Sequence, residues 1–140
     1  MIRVVLDTNV VISALKSPFG LPAFILQMAM DGRLHTCVSD ELFAEDQDVL
    51  HRPRLKIPLT AASEVLNWFC TNSLWVTPLD TFIACSDPGD NMVLVCAQEG
   101  QANFLVTGNV IDFPWRWANL QILTTRQFAE ALAQLNEKPL

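Results

Sequence analysis

Three acidic residues stand where the ends of predicted strands and helices would bring side chains together. Asp7 directly follows a short, mostly β-branched run, and Asp90 lies in the first turn of a helix predicted to begin after Asp87. Glu45 lies roughly two turns into the helix predicted after the second strand. Because ligands of open α/β sheets bind beyond the carboxyl ends of the strands, we expect these three carboxylates to converge there.

Converging carboxylates repel one another unless they share a proton or a cation. Oxygen ligands without His or Cys suit hard cations, so the expected cofactor is Mg²⁺ or Mn²⁺. Such an ion binds substrate phosphates, activates a water molecule and neutralises charge in the transition state. Asn109 and Asp112 follow the fourth predicted strand and would complete this set of ligands. This chemistry can explain an acidic nuclease, because the metal supplies the local positive charge that the net charge does not.

Simpler structural roles stay open for these residues. Asp7 could act only as a helix cap, and Glu45 could belong to a solvated acidic helix face. The apolar residues Leu42 and Val49 predict that Glu45 lies nearer the buried edge of its helix than Asp46.

Structural and functional roles also compete among the acidic and polar residues further along the chain. Asp87 precedes Pro88 and is the better helix cap, which leaves Asp90 free to act as a ligand. Asn109 and Asp112 could be plain turn residues after Gly108.

Composition excludes several classes of protein. The 140 residues carry a net charge of −6, which excludes a basic coat that holds nucleic acid by charge alone. A hydrophobic fraction of 51% excludes disorder and predicts one domain over residues 1–140, with a frayed tail. No membrane span or signal peptide is recognisable, so we expect a cytoplasmic protein with free thiols at its four cysteines.

The predicted elements alternate between strands and helices. Strands are predicted over residues 2–6, 34–38, 74–77, 103–106 and 120–123. A helical turn is predicted over residues 10–15 and a helix over 21–31, and further helices follow caps at Ser39, Thr60, Asp87 and Thr124 or Thr125. Loops are predicted over Asp80–Ser86 and, rich in aromatic residues, over Phe113–Asn119. This order predicts a three-layer α/β/α fold around a central, mostly parallel, five-stranded sheet.

Several segments in this order resemble the PIN-domain family of metal-dependent ribonucleases. The resemblance is greatest to the bacterial VapC-like branch, the toxin components of toxin–antitoxin pairs. The matching segments are Val5–Val10, Ser39–Glu45, Val49–Arg54, Asp87–Asn91, Leu105–Asn109, Asp112–Pro114 and Ile122–Thr124. The resemblance implies a PIN-like fold and an endoribonuclease that cleaves single-stranded or loop RNA. It also implies a cognate antitoxin as partner and a homodimer or higher homo-oligomer.

The resemblance assigns the family's first, second and third acids to Asp7, Glu45 and Asp90. Thr8 and Asn9 would support the first acid by a hydroxyl or amide contact near the metal.

The family's fourth acid position falls on Asn109, which removes one negative charge, although the bacterial branch often carries Asn there. Asn109 can still bind a metal through its oxygen, and Asp112 could take over its charge. Thr107 would support the site or satisfy only local backbone groups.

Other residues have weaker patterns. Arg52 and Arg54 form a compact basic cluster that could bind RNA phosphates or end a solvated helix. Trp115 and Trp117 could stack on bases, although packing or a subunit contact is the more usual role of such residues.

Three other functions are alternatives to a nuclease. Loss of the fourth acid at Asn109 would fit a PIN-fold module that binds RNA or a protein without catalysis. A haloacid-dehalogenase-like phosphatase needs Asp-x-Asp after the first strand, whereas this chain has Asp7-Thr8-Asn9. A receiver-type phosphoacceptor needs an acidic pair at the first strand and a nucleophilic Asp at the end of a later strand. The third predicted strand ends at Val76-Thr77-Pro78 without one.

Overall fold

A five-stranded sheet forms the centre of the protein. The computed structural model describes residues 1–79 and 82–137. The strands are β1 (Arg3–Leu6), β2 (His35–Ser39), β3 (Leu74–Val76), β4 (Phe104–Val106) and β5 (Gln121–Leu123). Their order in the sheet is β3-β2-β1-β4-β5, and each neighbouring pair is parallel. The predicted fold class is therefore confirmed.

Six helices connect and cover the strands in the described part of the chain. They are α1 (Thr8–Lys16), α2 (Leu21–Met30), α3 (Asp40–Leu50), α4 (Leu59–Asn72), α5 (Pro88–Glu99) and α6 (Thr125–Glu137). Short 3-10 turns occupy Pro53–Leu55 and Val110–Asp112.

Alternation along β1 separates two hydrophobic layers. Val4 and Leu6 pack on one face of the sheet in a core shared with α1, α2, α4 and α6. Val5 faces the other side, where it packs in a second core shared with α5 and Phe113. Because both faces of the sheet are covered, the central strands β1 and β4 are apolar except for Arg3, as is usual for parallel sheets.

The strand order reverses between β1 and β4, which places a crevice at their carboxyl ends. Leu6 pairs with Val106 in register, and the Asp7 N–H donates a 2.9 Å hydrogen bond to the Val106 carbonyl. The next residues of the two strands, Asp7 and Thr107, therefore emerge side by side at this crevice.

Three helix starts refine the predictions. Helix α1 begins at Thr8 rather than residue 10, because Asp7 accepts the Thr8 N–H and caps it. The predicted Thr60 cap is wrong: Pro58 occupies the cap position of α4 with extended backbone and no side-chain bond, and Thr60 lies inside the first turn. Helix α6 begins after Thr124, whose N–H and hydroxyl pair reciprocally with Gln127.

Two predictions fall partly outside the described residues. Asp80 and Thr81 of the predicted loop and residues 138–140 of the predicted tail are not described. Within the described residues, no single helix is both long and apolar enough to span a membrane; α1 and α2 reach that length and composition only as a pair bent by 105°.

Candidate functional site

Asp7 is a buried carboxylate held by its own helix and by the neighbouring strand. Its Oδ1 accepts the Thr8 N–H at 2.8 Å, and its Oδ2 accepts the Thr107 hydroxyl at 2.8 Å. Asn9 Nδ2 lies 3.5 Å from the same Oδ2. Burial raises the pKa of Asp7, although the bonds from Thr107 and Thr8 oppose that rise. The carboxylate is thus fixed in orientation at the mouth of the crevice.

A second set of bonds ties the ends of β1 and β4 together. The Gly108 N–H donates to Asn9 Oδ1 at 3.1 Å, and the Asn109 N–H donates to the Thr107 hydroxyl at 3.1 Å. Asn9 and Thr107 therefore lie beside Asp7 and order the backbone around it. Asn109, two residues after Thr107, has an exposed side chain.

Helix α3 presents two acids to the same region, in an arrangement that corrects the sequence analysis. Glu45 is half-buried, whereas Asp46 is only 1% exposed. The prediction that Glu45 lies nearer the buried edge is therefore wrong. Asp46 occupies the position four residues after Leu42 and three before Val49, which is the inward face of the helix. That spacing was the signal in the sequence that could have identified Asp46.

Asp46 is bonded to the first turn of α1. The Thr8 hydroxyl donates to Asp46 Oδ1 at 2.6 Å. Burial raises the pKa of Asp46 to about 7, against the Thr8 bond that lowers it, and the charges of Glu45 and Asp7 raise it further. Asp46 thus links α1 to α3 and lies within electrostatic range of Glu45 and Asp7.

The start of α5 brings the third predicted acid to the site. Asp87 caps this helix, because its Oδ1 accepts the Gly89 N–H at 2.6 Å and the Asp90 N–H at 3.3 Å. Asp90 itself is half-buried. A Cβ added at Gly89 would lie 3.8 Å from Glu45 Oε1, which shows how closely α3 approaches this turn.

Asn91 positions the loop before α5, a role that the sequence analysis did not assign. Its Oδ1 accepts the N–H groups of Ala84 and Cys85 at 2.8 and 3.1 Å. Its Nδ2 donates to the Phe82 carbonyl at 2.6 Å.

The acids act on one another through their charges. Burial raises the pKa of Glu45, and Asp87 and Asp90 raise it further. Burial also raises the pKa of Asp90, and Asp87, Asp7 and Asp112 add to that rise. The charges of Glu45 and Asp112 raise the pKa of Asp7. Asp7, Glu45, Asp90 and Asp112 therefore form one region of concentrated negative charge.

The donor set of this region fits a hard cation. Its side chains offer oxygen atoms, and carboxylates that raise one another's pKa are stabilised by a positive charge among them. In the part of the chain that the structure describes, no three His, Cys, Asp or Glu side chains are already gathered around a common point at ligand distance. The candidate ligands thus interact over longer distances than those of a formed coordination sphere.

The two predicted basic residues differ in their surroundings. Arg52 donates to Asp48 Oδ2 at 3.0 Å, and its charge lowers the pKa of Glu45. Arg54 is exposed in the 3-10 turn that follows. Arg52 is therefore within electrostatic range of the acids, and Arg54 lies two residues beyond it.

The two tryptophans after β4 have different environments. Trp117 stacks on Phe82 with ring centroids 4.9 Å apart, and its Nε1 donates to Gln98 Oε1 at 2.6 Å. Trp115 is 84% exposed. Packing therefore accounts for Trp117, whereas it does not account for Trp115.

The parallel sheet and the acidic crevice at its switch point define an α/β protein with a candidate cation-dependent site. The chain matches the PIN domain family over residues 3–111. It is 32% identical over 111 residues to an uncharacterised protein of Methanocaldococcus jannaschii, across 77% of this chain and 71% of that protein. The chain belongs to the PIN domain family.

PIN domains are commonly nucleases, and PIN nucleases typically use divalent metals. Both properties agree with the donor set of the crevice. The matched region includes Asp7, Glu45, Asp90 and Asn109 and ends just before Asp112.

Proposed function

We propose that this protein is a metal-dependent endoribonuclease that hydrolyses phosphodiester bonds of single-stranded or loop RNA. The catalytic acids are Asp7, Glu45 and Asp90. The observation that carries the proposal is that three separate chain segments bring these carboxylates, with Asp112, into one region where each raises the pKa of others. Membership of the PIN family supports nuclease chemistry for that region.

Each acid has a distinct part in this proposal. Asp7 is held by Thr8 and Thr107, so it presents a fixed carboxylate at the switch point. Asp90 and Glu45 are half-buried on α5 and α3, within electrostatic range of the Asp7 carboxylate. Glu45, on α3, is the carboxylate proposed to take the proton of the attacking water.

A bound Mg²⁺ or Mn²⁺ would supply Lewis acidity and stabilise the charge that develops on the phosphate. Asp7, Glu45 and Asp90 are the residues that would hold it, with an oxygen from Asn109 or Asp112. In the hydrolysis, the water oxygen bonds to phosphorus as the bond from phosphorus to the leaving sugar oxygen breaks. Asp112 supplies the negative charge that Asn109 lacks, because its carboxylate acts on both Asp7 and Asp90.

A role as the toxin of a toxin–antitoxin pair is a further part of the proposal, as are a homodimer and a cognate antitoxin. The resemblance to the VapC-like branch supports these parts. Apolar side chains of Phe19 and Phe24, 103% and 57% exposed, border a groove of about 510 Å³ between α1, α2 and α4. Large exposed apolar surfaces of this kind commonly mark protein contacts.

The nuclease is tested by cleavage of a mixed pool of structured RNA in Mn²⁺ or Mg²⁺, with and without chelator. The Asp90→Asn variant should lose metal-dependent cleavage. Asp31→Asn is the matched control, because Asp31 is an exposed Asp at the end of α2 that contacts Gln27. Equal cleavage by wild type and Asp90→Asn would show that Asp90 is misassigned or that a contaminant cleaves the RNA.

A pure, folded wild-type protein that neither cleaves RNA nor binds metal would contradict the nuclease proposal. That result would favour a binding module without catalysis, and the missing acid at Asn109 would be its cause.

A further inference from the structure

The loop between β4 and β5 is anchored at two points. Phe113 is 6% exposed and packs in the core on the α5 side of the sheet. Trp117 stacks on Phe82, donates to Gln98 and forms an antiparallel bridge with Leu120. The residues between these anchors are therefore presented on a supported turn.

Trp115 lies between the anchors and points outwards. It is 84% exposed, and Arg116 Cζ lies 4.8 Å from the centroid of its ring. An exposed Trp forgoes the large gain in free energy that burial of its apolar area would give. A cation held against its ring gives the pair a flat π surface with a positive charge beside it.

This pair lies close in sequence to Asp112, one of the acids of the crevice. Trp115 follows Asp112 by three residues, so their Cα atoms lie at most about 11 Å apart. Asp112 is near enough to raise the pKa of Asp7 and Asp90. The pair also lies beyond residue 111, where the match to the PIN family ends.

We propose that Trp115 and Arg116 bind an unpaired nucleotide of single-stranded RNA next to the bond to be cleaved. The base stacks on the free part of the Trp115 ring, and the Arg116 guanidinium contacts a neighbouring phosphate. This proposal rests on the proposed nuclease function and names the part of the substrate that the site recognises.

The combination of a cation and an exposed aromatic ring favours an RNA strand over a protein partner at this surface. The chain carries −6 overall, and its acids surround the crevice, so a polyanion needs a local cation to approach. Arg116 supplies that cation directly beside an aromatic face. Base stacking on aromatic side chains is the usual way in which proteins bind single strands without pairing.

The test is a binding measurement in excess chelator at low salt, which does not depend on hydrolysis. The probes are a fluorescently labelled oligouridine and the same strand with abasic sites. Trp115→Ala should weaken binding of the intact strand by roughly 5- to 100-fold, as removal of one stacking residue does elsewhere. Trp115→Phe should retain most of the affinity, because it keeps an aromatic face.

Ile111→Ala is the matched control, since Ile111 is an apolar residue of the same loop and is 93% exposed. It should leave RNA binding unchanged. Wild type should bind the abasic strand about as weakly as Trp115→Ala binds the intact one.

Equal affinity of wild type and Trp115→Ala for the intact strand would overturn the proposal, as would no measurable affinity of wild type for either strand. An equal loss in Ile111→Ala would also overturn it, because the contact would then be merely apolar. A change in the protein's mass in solution, with RNA binding unaffected, would assign Trp115 to a protein interface instead. Wild type that cleaves RNA while Trp115→Ala binds it normally would refute this proposal and leave the nuclease intact.

Discussion

Asp46 is a buried carboxyl group whose ionisation opposes folding, and its replacement by Asn should remove that opposition. The side chain is 1% exposed and accepts one hydrogen bond from the Thr8 hydroxyl. Burial raises its pKa from 3.8 to about 7 in the folded protein. An Asn at this position retains an oxygen acceptor for Thr8 and has no charge to desolvate.

The direction of the pH dependence of stability follows from the protonation of Asp46 in the folded and unfolded chains. Below about pH 4 the Asp46 carboxyl is protonated in both the folded and the unfolded chain, so it contributes no pH dependence. Between 3.8 and about 7 the unfolded chain releases the proton while the folded chain keeps it, and the free energy of unfolding therefore falls as pH rises. Above pH 7 both states are ionised and the penalty stays constant.

The size of the destabilisation follows from the size of the pKa shift of Asp46. Each pKa unit corresponds to about 1.4 kcal/mol, so a shift of about 3 units corresponds to a total penalty of about 4 kcal/mol. About 3 kcal/mol of it should develop between pH 5 and pH 8. The buried amide of Asn adds its own cost, but that cost does not change with pH.

The assay is urea unfolding of wild type and Asp46→Asn at pH 5, 6, 7 and 8 in chelator. From pH 5 to pH 8, the free energy of unfolding of Asp46→Asn should rise by about 3 kcal/mol relative to that of wild type. Asp48→Asn is the matched control on the same helix. Asp48 is an exposed partner of Arg52, so its replacement should change stability by less than about 1 kcal/mol.

A difference between wild type and Asp46→Asn that stays the same from pH 5 to pH 8 would refute this reasoning. It would show that Asp46 is ionised in the folded protein without penalty, and hence that it is solvated or paired with a cation.

Three further variants test the geometry around the acids. Thr107→Val removes the hydroxyl that donates to Asp7, and it should destabilise the protein by about 1–3 kcal/mol in urea unfolding; an unchanged midpoint would contradict that bond. Asn91→Ala removes three hydrogen bonds to the loop over residues 82–85, so limited proteolysis should cut this loop faster than in wild type. An equal rate of cleavage would show that other contacts hold the loop. Asn109→Asp adds a carboxylate near Asp7 and Asp112, so in chelator the variant should have a lower melting temperature than wild type at pH 8. Mn²⁺ should raise the melting temperature of the variant more than that of wild type. A smaller effect of Mn²⁺ on the variant would place residue 109 outside the metal site.

The positions of the strands could be predicted because polar residues end the short apolar runs. Val4, Val5 and Leu6 are buried on alternating faces of the sheet, and Asp7 follows them directly. The parallel register then fixes which residues meet at the sheet edge, and Thr107 lies beside Asp7 for that reason.

The roles of Glu45 and Asp46 could not be separated by charge pattern alone. Both lie in an acidic stretch of the sequence. A polar side chain is rare on the inward face of a helix unless it has a hydrogen-bond partner there. The partner is Thr8, which is distant in sequence and reaches Asp46 only through the packing of α1 against α3.

The two tryptophans were equally ambiguous in sequence. Trp117 is anchored by Phe82 and Gln98, which come from other segments, whereas Trp115 contacts the adjacent Arg116. Only the folded arrangement shows which ring is used for packing and which is presented to solvent.

Calorimetric titration with Mn²⁺ tests the central claim most directly. Wild type should bind Mn²⁺ with an affinity that falls as the pH is lowered, because protons compete with the cation for Asp7, Glu45 and Asp90, whose pKa values are raised. Asp90→Asn should weaken this binding by at least about tenfold, and Asp31→Asn should leave it unchanged. Wild type that binds no Mn²⁺, or binds it as Asp90→Asn does, would contradict the assignment of these acids to a metal-dependent site.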